Sequence, residues 1–290
     1  MPGTPAVGTA DPSGLTAPPL DTTASTTAEP EAKGPKEPKA GDFNAGGKAR
    51  FPSGPDEAGQ YATWNWVAAD LTGRYYLLPS VHLTANAPLA IIKPDTIMGG
   101  AVDPKLFGGM NVTLEAVLPK MPDMPFMTKA MKDTKIGLTL TAAYMREGAM
   151  LLSERDFPLF TGDLKPGLSG GLITILKVSS LVDFSFVPTF VFQTGTTENL
   201  TALQVPLMLA LKVGSLVKLS TDLGIYTGDD ISLRPSNGGR ISLGAALDVK
   251  LGPILAHAGA GFASLLTDEM GMYPTIGESM YVDVNVKYAK

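Results

Sequence analysis

The chain has 290 residues, 44% of them hydrophobic and only 18% charged, with a mean hydropathy of +0.13. Its net charge of −5 and isoelectric point near 5.1 argue against nucleic-acid binding, which needs a basic face. The absence of cysteine excludes disulfide bonds and thiolate metal sites.

The first segment, residues 1–41, is rich in Pro, Thr, Ala, Lys and Glu and has almost no large apolar side chains. Such a segment buries too little apolar surface to offset the entropy lost on ordering. We therefore expect a disordered tail over residues 1–41 and a folded domain over residues 42–290.

From Phe43 onward, apolar side chains recur at every second position, the period of β-strands with one apolar and one polar face. The clearest pair runs from Thr201 to Tyr226, where two alternating runs flank Gly214-Ser215, a hairpin signal. The pattern predicts about twelve strands, over residues 43–51, 61–77, 81–89, 110–118, 136–144, 168–177, 182–193, 201–213, 217–226, 241–249, 254–262 and 280–288.

The length and spacing of these runs favour a membrane-spanning fold. The two runs between Thr201 and Tyr226 are each about ten to thirteen residues long, which exceeds the usual soluble strand but suits a tilted strand crossing a bilayer. Short turns alternate with longer connecting segments along the chain. The short turns are residues 78–80, 178–180, 213–216 and 251–253, and the longer segments are residues 92–107, 146–167, 228–238 and 266–278. The connection 119–133 is an exception, because it is long but falls where a short turn is expected. The fold class indicated is all-β, an antiparallel transmembrane β-barrel of about twelve strands.

Over roughly residues 43–290 the chain resembles the bacterial outer-membrane β-barrel superfamily. The last strand is similar to the C-terminal assembly signal of that superfamily, because it alternates and closes on Tyr288, although Ala289-Lys290 follow. The resemblance implies an outer-membrane location with both termini periplasmic. In that location, residues 1–41 either tether a periplasmic partner protein or the cell wall, or form a plain spacer. It also implies contact with outer-membrane lipid and recognition by the barrel-assembly machinery.

Polar residues on the inward face of the predicted strands are candidates for lining a pore. They are Asp70, Arg74, His82, Glu115, Asp183, Lys218, Asp222, Asp248, His257 and Asp283. A ring of acids could favour cations, whereas mixed charges could pair with one another and close the lumen. Many other inward positions are small or apolar, for example Gly137 and Val191. The pattern therefore predicts a narrow or partly filled lumen.

Catalysis would depend on His82 or His257, the two side chains that titrate near neutral pH. No sequence spacing places a Ser or carboxylate beside either of them. Ser236-Asn237-Gly238 resembles a segment of outer-membrane phospholipases, but Arg234 stands where their His would be. We therefore predict no enzymatic activity and no cofactor.

Three further features have two interpretations each. The segment Arg146–Gly167 carries apolar residues among charges, and either folds into the barrel mouth or packs on itself at the membrane surface.

Four methionines could bind Cu(I), but their spacing favours an apolar packing stripe: Met121, Met124, Met127 and Met131. Six aromatic residues are candidates for an interfacial girdle: Trp64, Trp66, Tyr75, Tyr76, Tyr144 and Tyr288.

The function indicated is a narrow porin-like channel for small solutes, with inward Asp and Lys residues setting its selectivity. The alternative is a non-conducting structural barrel. In that case the tail and the turns would anchor an envelope-spanning protein assembly.

Overall fold

The computed structural model describes residues 38–118, 134–214 and 216–289. The tail predicted over residues 1–41, apart from its last four residues, and the four methionines of residues 121–131 lie outside the described residues. No helix in the described part of the chain is long and apolar enough to cross a membrane.

Strands dominate the described residues. In chain order they are β1 (Phe43–Pro52), β2 (Gly54–Pro55), β3 (Tyr61–Ala62), β4 (Val67–Leu78), β5 (Val81–Ile92), β6 (Gly109–Val117), β7 (Lys135–Arg146), β8 (Leu164–Lys177), β9 (Val182–Phe186), β10 (Thr189–Gln193), β11 (Leu200–Val213), β12 (Val217–Tyr226), β13 (Arg240–Leu251), β14 (Ile254–Phe262) and β15 (Met280–Ala289). Helical structure within the described ranges is limited to short 3₁₀ turns at Met98–Gly100, Asp229–Ile231, Pro235–Asn237 and Gly277–Ser279.

All strands except β2 and β3 form one antiparallel sheet that closes on itself, because β15 pairs with β1. β9 and β10 both lie between β8 and β11 and occupy a single position, so the barrel has twelve strand positions. The predicted barrel of about twelve strands is thereby confirmed. The seventh predicted strand is broken at Val187-Pro188, since Pro188 has no N–H to donate, although its carbonyl still accepts from Leu172 N at 3.0 Å.

The alternation of side chains places the apolar face outside the barrel. Leu243 and Val284 are 42% and 41% exposed, and they belong to a large set of exposed Leu, Val, Ile and aromatic residues along the strands. Arg50, Asp70 and Asp283 lie on the opposite face and are buried. This outward apolar surface is the one that lipid covers in a transmembrane barrel.

The two ends of the barrel differ. At the short-turn end, β4 and β5, β8 and β9, β11 and β12, and β13 and β14 are joined by turns of two to four residues, and β1 begins beside the end of β15. At the long-loop end lie the connections 53–66, 93–108, 147–163, 194–199, 227–239 and 263–279. The β6–β7 connection at the short-turn end runs mostly outside the described residues.

A buried apolar cluster lies at the long-loop end. It is formed by Trp66, Ala90, Ile97, Met145, Ala149, Phe157, Phe160, Ala263 and Tyr273. Most of these residues come from the long connections, so the loops have a hydrophobic core of their own. This core fixes the loops with respect to the strands beneath them.

Trp66 corrects the predicted aromatic girdle. Its side chain is fully buried against Phe157, and its indole Nε1 donates to the Pro55 carbonyl at 3.1 Å. Tyr76 also departs from the girdle prediction, because its side chain is half-buried and its ring lies 5.2 Å from the His82 ring, measured between centroids. Trp66 precedes β4, where strand alternation does not determine side-chain direction. The other four predicted girdle residues are exposed.

Candidate functional site

The connection between β7 and β8, residues 147–163, folds into the barrel; we call it the inward loop. Phe157 and Phe160 are buried, and the Phe157 ring lies 5.4 Å from Trp66 and 5.6 Å from Tyr273, measured between ring centroids. Gly108 allows the close approach of Phe160, because a Cβ there would lie 2.6 Å from that ring. The structure thus decides between the two interpretations of this segment in favour of the barrel mouth.

Three consecutive charged residues attach the inward loop to different strands of the wall. The Glu154 carboxylate contacts the Lys48 ammonium on β1 at 3.1 Å. Arg155 pairs with Asp222 on β12 and donates to the Ser242 hydroxyl on β13. The third pair joins Asp156 to Arg240 at the start of β13, with an N–O distance of 2.9 Å. The tip of the loop is therefore held against the part of the wall that runs from β12 to β1.

Arg50 on β1 reinforces this attachment through the loop backbone. Its guanidinium donates to the carbonyls of Glu154 and Asp156 at 2.8 and 3.1 Å. The same guanidinium makes two bonds to the Asp70 carboxylate on β4, at 2.7 and 3.1 Å. Because Arg50 and Asp70 are both buried, this bidentate pair supplies the geometry that a desolvated ion pair requires.

A chain of ionisable side chains continues along the same wall. The His257 imidazole lies between two carboxylates, with Nδ1 2.6 Å from Asp248 and Nε2 2.9 Å from Asp283. Lys218 contacts Asp248 at 3.2 Å, and Lys48 contacts Asp283 at 3.4 Å. The chain of contacts therefore runs from β12 through β13, β14 and β15 to β1 and the inward loop.

The second histidine belongs to a separate group. His82 Nε2 lies 2.6 Å from the Glu115 carboxylate, its direct cross-strand partner on β6. On β4, Arg74 donates from Nε to the Thr84 hydroxyl at 3.1 Å. Sequence analysis missed the acidic partners of both histidines. Long connections separate His82 from Glu115 and His257 from Asp283, so those contacts depend on the closed sheet. For Asp248, the register of the hairpin at Gly252-Pro253 was a usable signal.

These groups surround a cavity of about 550 Å³ in the lumen. Five of the ten predicted pore residues line it: Asp70, Arg74, Glu115, Asp248 and His257. Four others contact residues of the loop or the cavity wall: His82, Lys218, Asp222 and Asp283. Asp183 lies apart, paired with Lys212 at 2.5 Å.

The two sides of the cavity differ in chemistry. The side from β13 through β15 to β1 carries charges, among them Lys48, Arg50, Asp248 and Lys287. The side from β5 to β8 carries mostly hydroxyl and amide groups: Thr84, Asn86, Asn111, Thr113, Thr141 and Ser169. A solute in the cavity would meet charge on one side and neutral hydrogen-bonding groups on the other.

A smaller cavity of about 230 Å³ lies on the other side of the inward loop. Its walls include Leu151, Leu159, Arg240 and Met272. Leu152 borders both cavities, so the loop forms the partition between them.

Solved structures with a similar fold are known. An outer membrane channel of Pseudomonas putida F1 is 12% identical with a TM-score of 0.57, and the match covers 89% of this chain and 98% of that one. Two further structures match less well. The KdgM porin is 8% identical with a TM-score of 0.48, and the match covers 85% of this chain and 99% of that one. OmpT of Vibrio cholerae is 8% identical with a TM-score of 0.36, and the match covers 87% of this chain and 100% of that one. No protein-family model and no curated protein sequence matches the chain.

This protein has an outer-membrane β-barrel fold. The superfamily resemblance seen in the sequence is thereby confirmed at the level of fold.

Several residues of the barrel lumen were missed by sequence reasoning. Lys48 and Arg50 lie on the polar face of the first predicted strand, so the alternation of that strand was a usable signal for both. Arg240 directly precedes the apolar Ile241 of a predicted strand, so the alternation extended by one residue would have placed it inward. Arg155 had no such signal, because its role depends on the inward loop. Within the described residues, no group of three or more His, Asp or Glu side chains is arranged to hold a metal ion.

The pH dependence of the loop contact can be predicted from Glu154. Its side chain is 79% exposed within the lumen, and the nearby Lys48 ammonium lowers the pKa of Glu154 to about 2 from its ordinary 4.5. The contact is therefore complete above about pH 4.5 and is lost as the pH falls towards 2. In planar bilayers we expect conductance to rise over this acid range. Glu154→Gln should already show the higher conductance at neutral pH.

Glu147→Gln is the matched control, since Glu147 belongs to the same loop but accepts hydrogen bonds from Thr196 outside the main cavity. This control should keep the wild-type acid response. An identical pH profile in Glu154→Gln and wild type would contradict the assignment of the response to Glu154.

Proposed function

We propose that this protein is a narrow porin-like channel for small solutes in the outer membrane, with the charged lumen residues setting its selectivity. The observation that carries the proposal is the polar cavity of about 550 Å³, which has charged groups on its walls and the inward loop beside it. A loop folded into the lumen narrows the path, and convergent polar groups are the usual means of selection in a pore. The similar Pseudomonas putida structure is itself an outer membrane channel.

The proposal includes an orientation and a set of partners. The short-turn end, where β1 begins and β15 ends, faces the periplasm, and the long loops face outward. Outer-membrane lipid surrounds the apolar face, and β15 presents the signal that the barrel-assembly machinery recognises. All ten residues predicted from the sequence contribute to the electrostatic field along the path, although only five line the cavity.

The second candidate is a non-conducting barrel that anchors an envelope-spanning assembly through residues 1–41 and the periplasmic turns. The attachment of the inward loop favours it, because three ion pairs and an aromatic core hold the loop across the lumen. The pairing of lumen acids with lumen bases favours it as well, since paired charges attract passing ions less.

Planar-bilayer recordings of the purified full-length protein separate the two candidates. We expect small stepwise currents and, in Asp248→Asn, a shift of the permeability ratio towards anions, because Asp248 lines the cavity. Asp183→Asn is the matched control and should shift the ratio less, since Asp183 lies outside the cavity.

A silent barrel would contradict the channel. Silence combined with a co-purifying protein that is lost on deletion of residues 1–37 would favour the anchor. Phospholipid hydrolysis that His82→Ala or His257→Ala abolishes would overturn both candidates.

A further inference from the structure

Two cations of the cavity wall have no acidic partner. In the described residues, every inward acid of the strands and every acid of the loop tip contacts a basic side chain: Asp70, Glu154, Asp156, Asp183, Asp222, Asp248 and Asp283 each pair with a Lys or Arg, and Glu115 contacts the His82 imidazole. Arg74 and Lys287 also line the cavity, but neither forms an ion pair with a described carboxylate. Positive charge is therefore left over on this part of the wall.

The strand register brings these two cations to the same region of the lumen. Lys287 on β15 faces Gly46 on β1, and Gly46 in turn faces Thr72 on β4, two residues before Arg74. Gly46 leaves the space that Lys287 uses, because a Cβ there would lie 3.0 Å from Lys287 Cγ. The Lys287 side chain thus lies across β1, between its own strand and β4.

Neutral hydrogen-bonding groups surround the two cations. The Thr84 hydroxyl accepts a hydrogen bond from Arg74 Nε, so the two terminal nitrogens of the guanidinium can donate to another acceptor. Thr72 and Asn86 are bonded to each other at 3.3 Å beside this site. The side-chain oxygen of Asn285, two residues before Lys287, is buried and has no hydrogen-bond partner.

We propose that Arg74 and Lys287 form a binding subsite in the lumen for a small hydroxylated carboxylate. The planar fork of Arg74 matches a carboxylate in two-point contact, and Lys287 adds a second positive charge. The hydroxyl and amide groups of Thr72, Asn86 and Asn285 exchange hydrogen bonds with the hydroxyl groups of the solute. The subsite deepens the proposed channel function and rests on it, because it names the solute class that the lumen selects.

Equilibrium binding tests the subsite without any need for conduction. We expect calorimetric titration of the purified full-length protein in detergent to detect binding of gluconate, which has one carboxylate and several hydroxyl groups. Acetate, which lacks the hydroxyl groups, and sorbitol, which lacks the carboxylate, should bind more weakly. Arg74→Gln and Lys287→Gln should each weaken gluconate binding about tenfold, the loss expected for one charged contact.

Lys212→Gln is the matched control, because it removes the same charge from a lumen cation that is already paired with Asp183. It should bind gluconate like wild type. Absence of gluconate binding, or equal weakening by all three variants, would overturn the subsite. Equal affinity for gluconate and acetate would overturn the role of the hydroxyl groups.

The subsite and the channel can fail separately. A barrel that is silent in bilayers but binds gluconate through Arg74 and Lys287 would retain the subsite and reject the channel. A conducting barrel whose gluconate binding is absent would do the reverse.

Discussion

A variant whose inward loop is shortened should conduct several-fold more current than the wild-type barrel. Arg146 and Leu164 face each other as the last pair of β7 and β8, so a four-residue Gly-Ser linker can replace residues 147–163 and close the hairpin. The replacement removes Met150, Leu152, Glu154 and the other loop residues that line the cavity. Single-channel conductance in planar bilayers measures the effect.

A triple substitution provides a milder version of the same test. Glu154→Gln, Arg155→Gln and Asp156→Asn together remove the three ion pairs of the loop but leave its aromatic core in place. We expect conductance to rise by less than in the shortened variant. The control is Asp103→Asn with Lys105→Gln, which removes an exposed ion pair at the same end of the barrel. Unchanged conductance in a folded shortened variant would show that the inward loop does not limit the current.

Removal of one partner of the buried Asp156–Arg240 pair should lower stability strongly. The side chains of Asp156 and Arg240 are 0% and 3% exposed, so Asp156→Ala leaves a buried guanidinium charge without its acidic partner. Breaking a buried pair in this way typically costs about 3–5 kcal/mol in the free energy of unfolding. Asp156 also accepts the Ser153 N–H at 2.6 Å, and loss of this bond loosens the turn of the loop. Urea unfolding followed by tryptophan fluorescence measures the change.

Asp183→Ala is the matched comparison, because it also removes an aspartate from an ion pair on the lumen face. Asp183 and Lys212 are 22% and 39% exposed, so water can replace the lost partner. The expected loss is about 0–1 kcal/mol, as for other exposed pairs. If the two variants lost the same small free energy, the Asp156–Arg240 pair would not be the buried anchor of the inward loop.

The parts of the site that follow from hairpin register could be predicted from the sequence. Leu251 and Ile254 flank the turn at Gly252-Pro253 and face each other. Asp248 lies three residues before Leu251, and His257 lies three residues after Ile254, so Asp248 and His257 also face each other. A two-residue turn fixes which residues face each other, so the amino-acid sequence alone is sufficient to predict this contact. The contact of His257 with Asp283 does not follow in this way, because a seventeen-residue connection, residues 263–279, separates β14 from β15.

The sequence by itself determined the architecture of this protein. A period of two along strands long enough to cross a bilayer, with short and long connections in turn, specifies an antiparallel barrel with an apolar outer face. That information is local, since each strand sorts its own side chains between two faces.

Only the tertiary structure decided what fills the barrel. The inward course of residues 147–163, the burial of Trp66 and the unpaired charges of Arg74 and Lys287 all depend on contacts between segments far apart in the chain. No periodicity encodes such contacts, because loop side chains have no regular direction and ion pairs across the lumen require the closed sheet to bring their partners together.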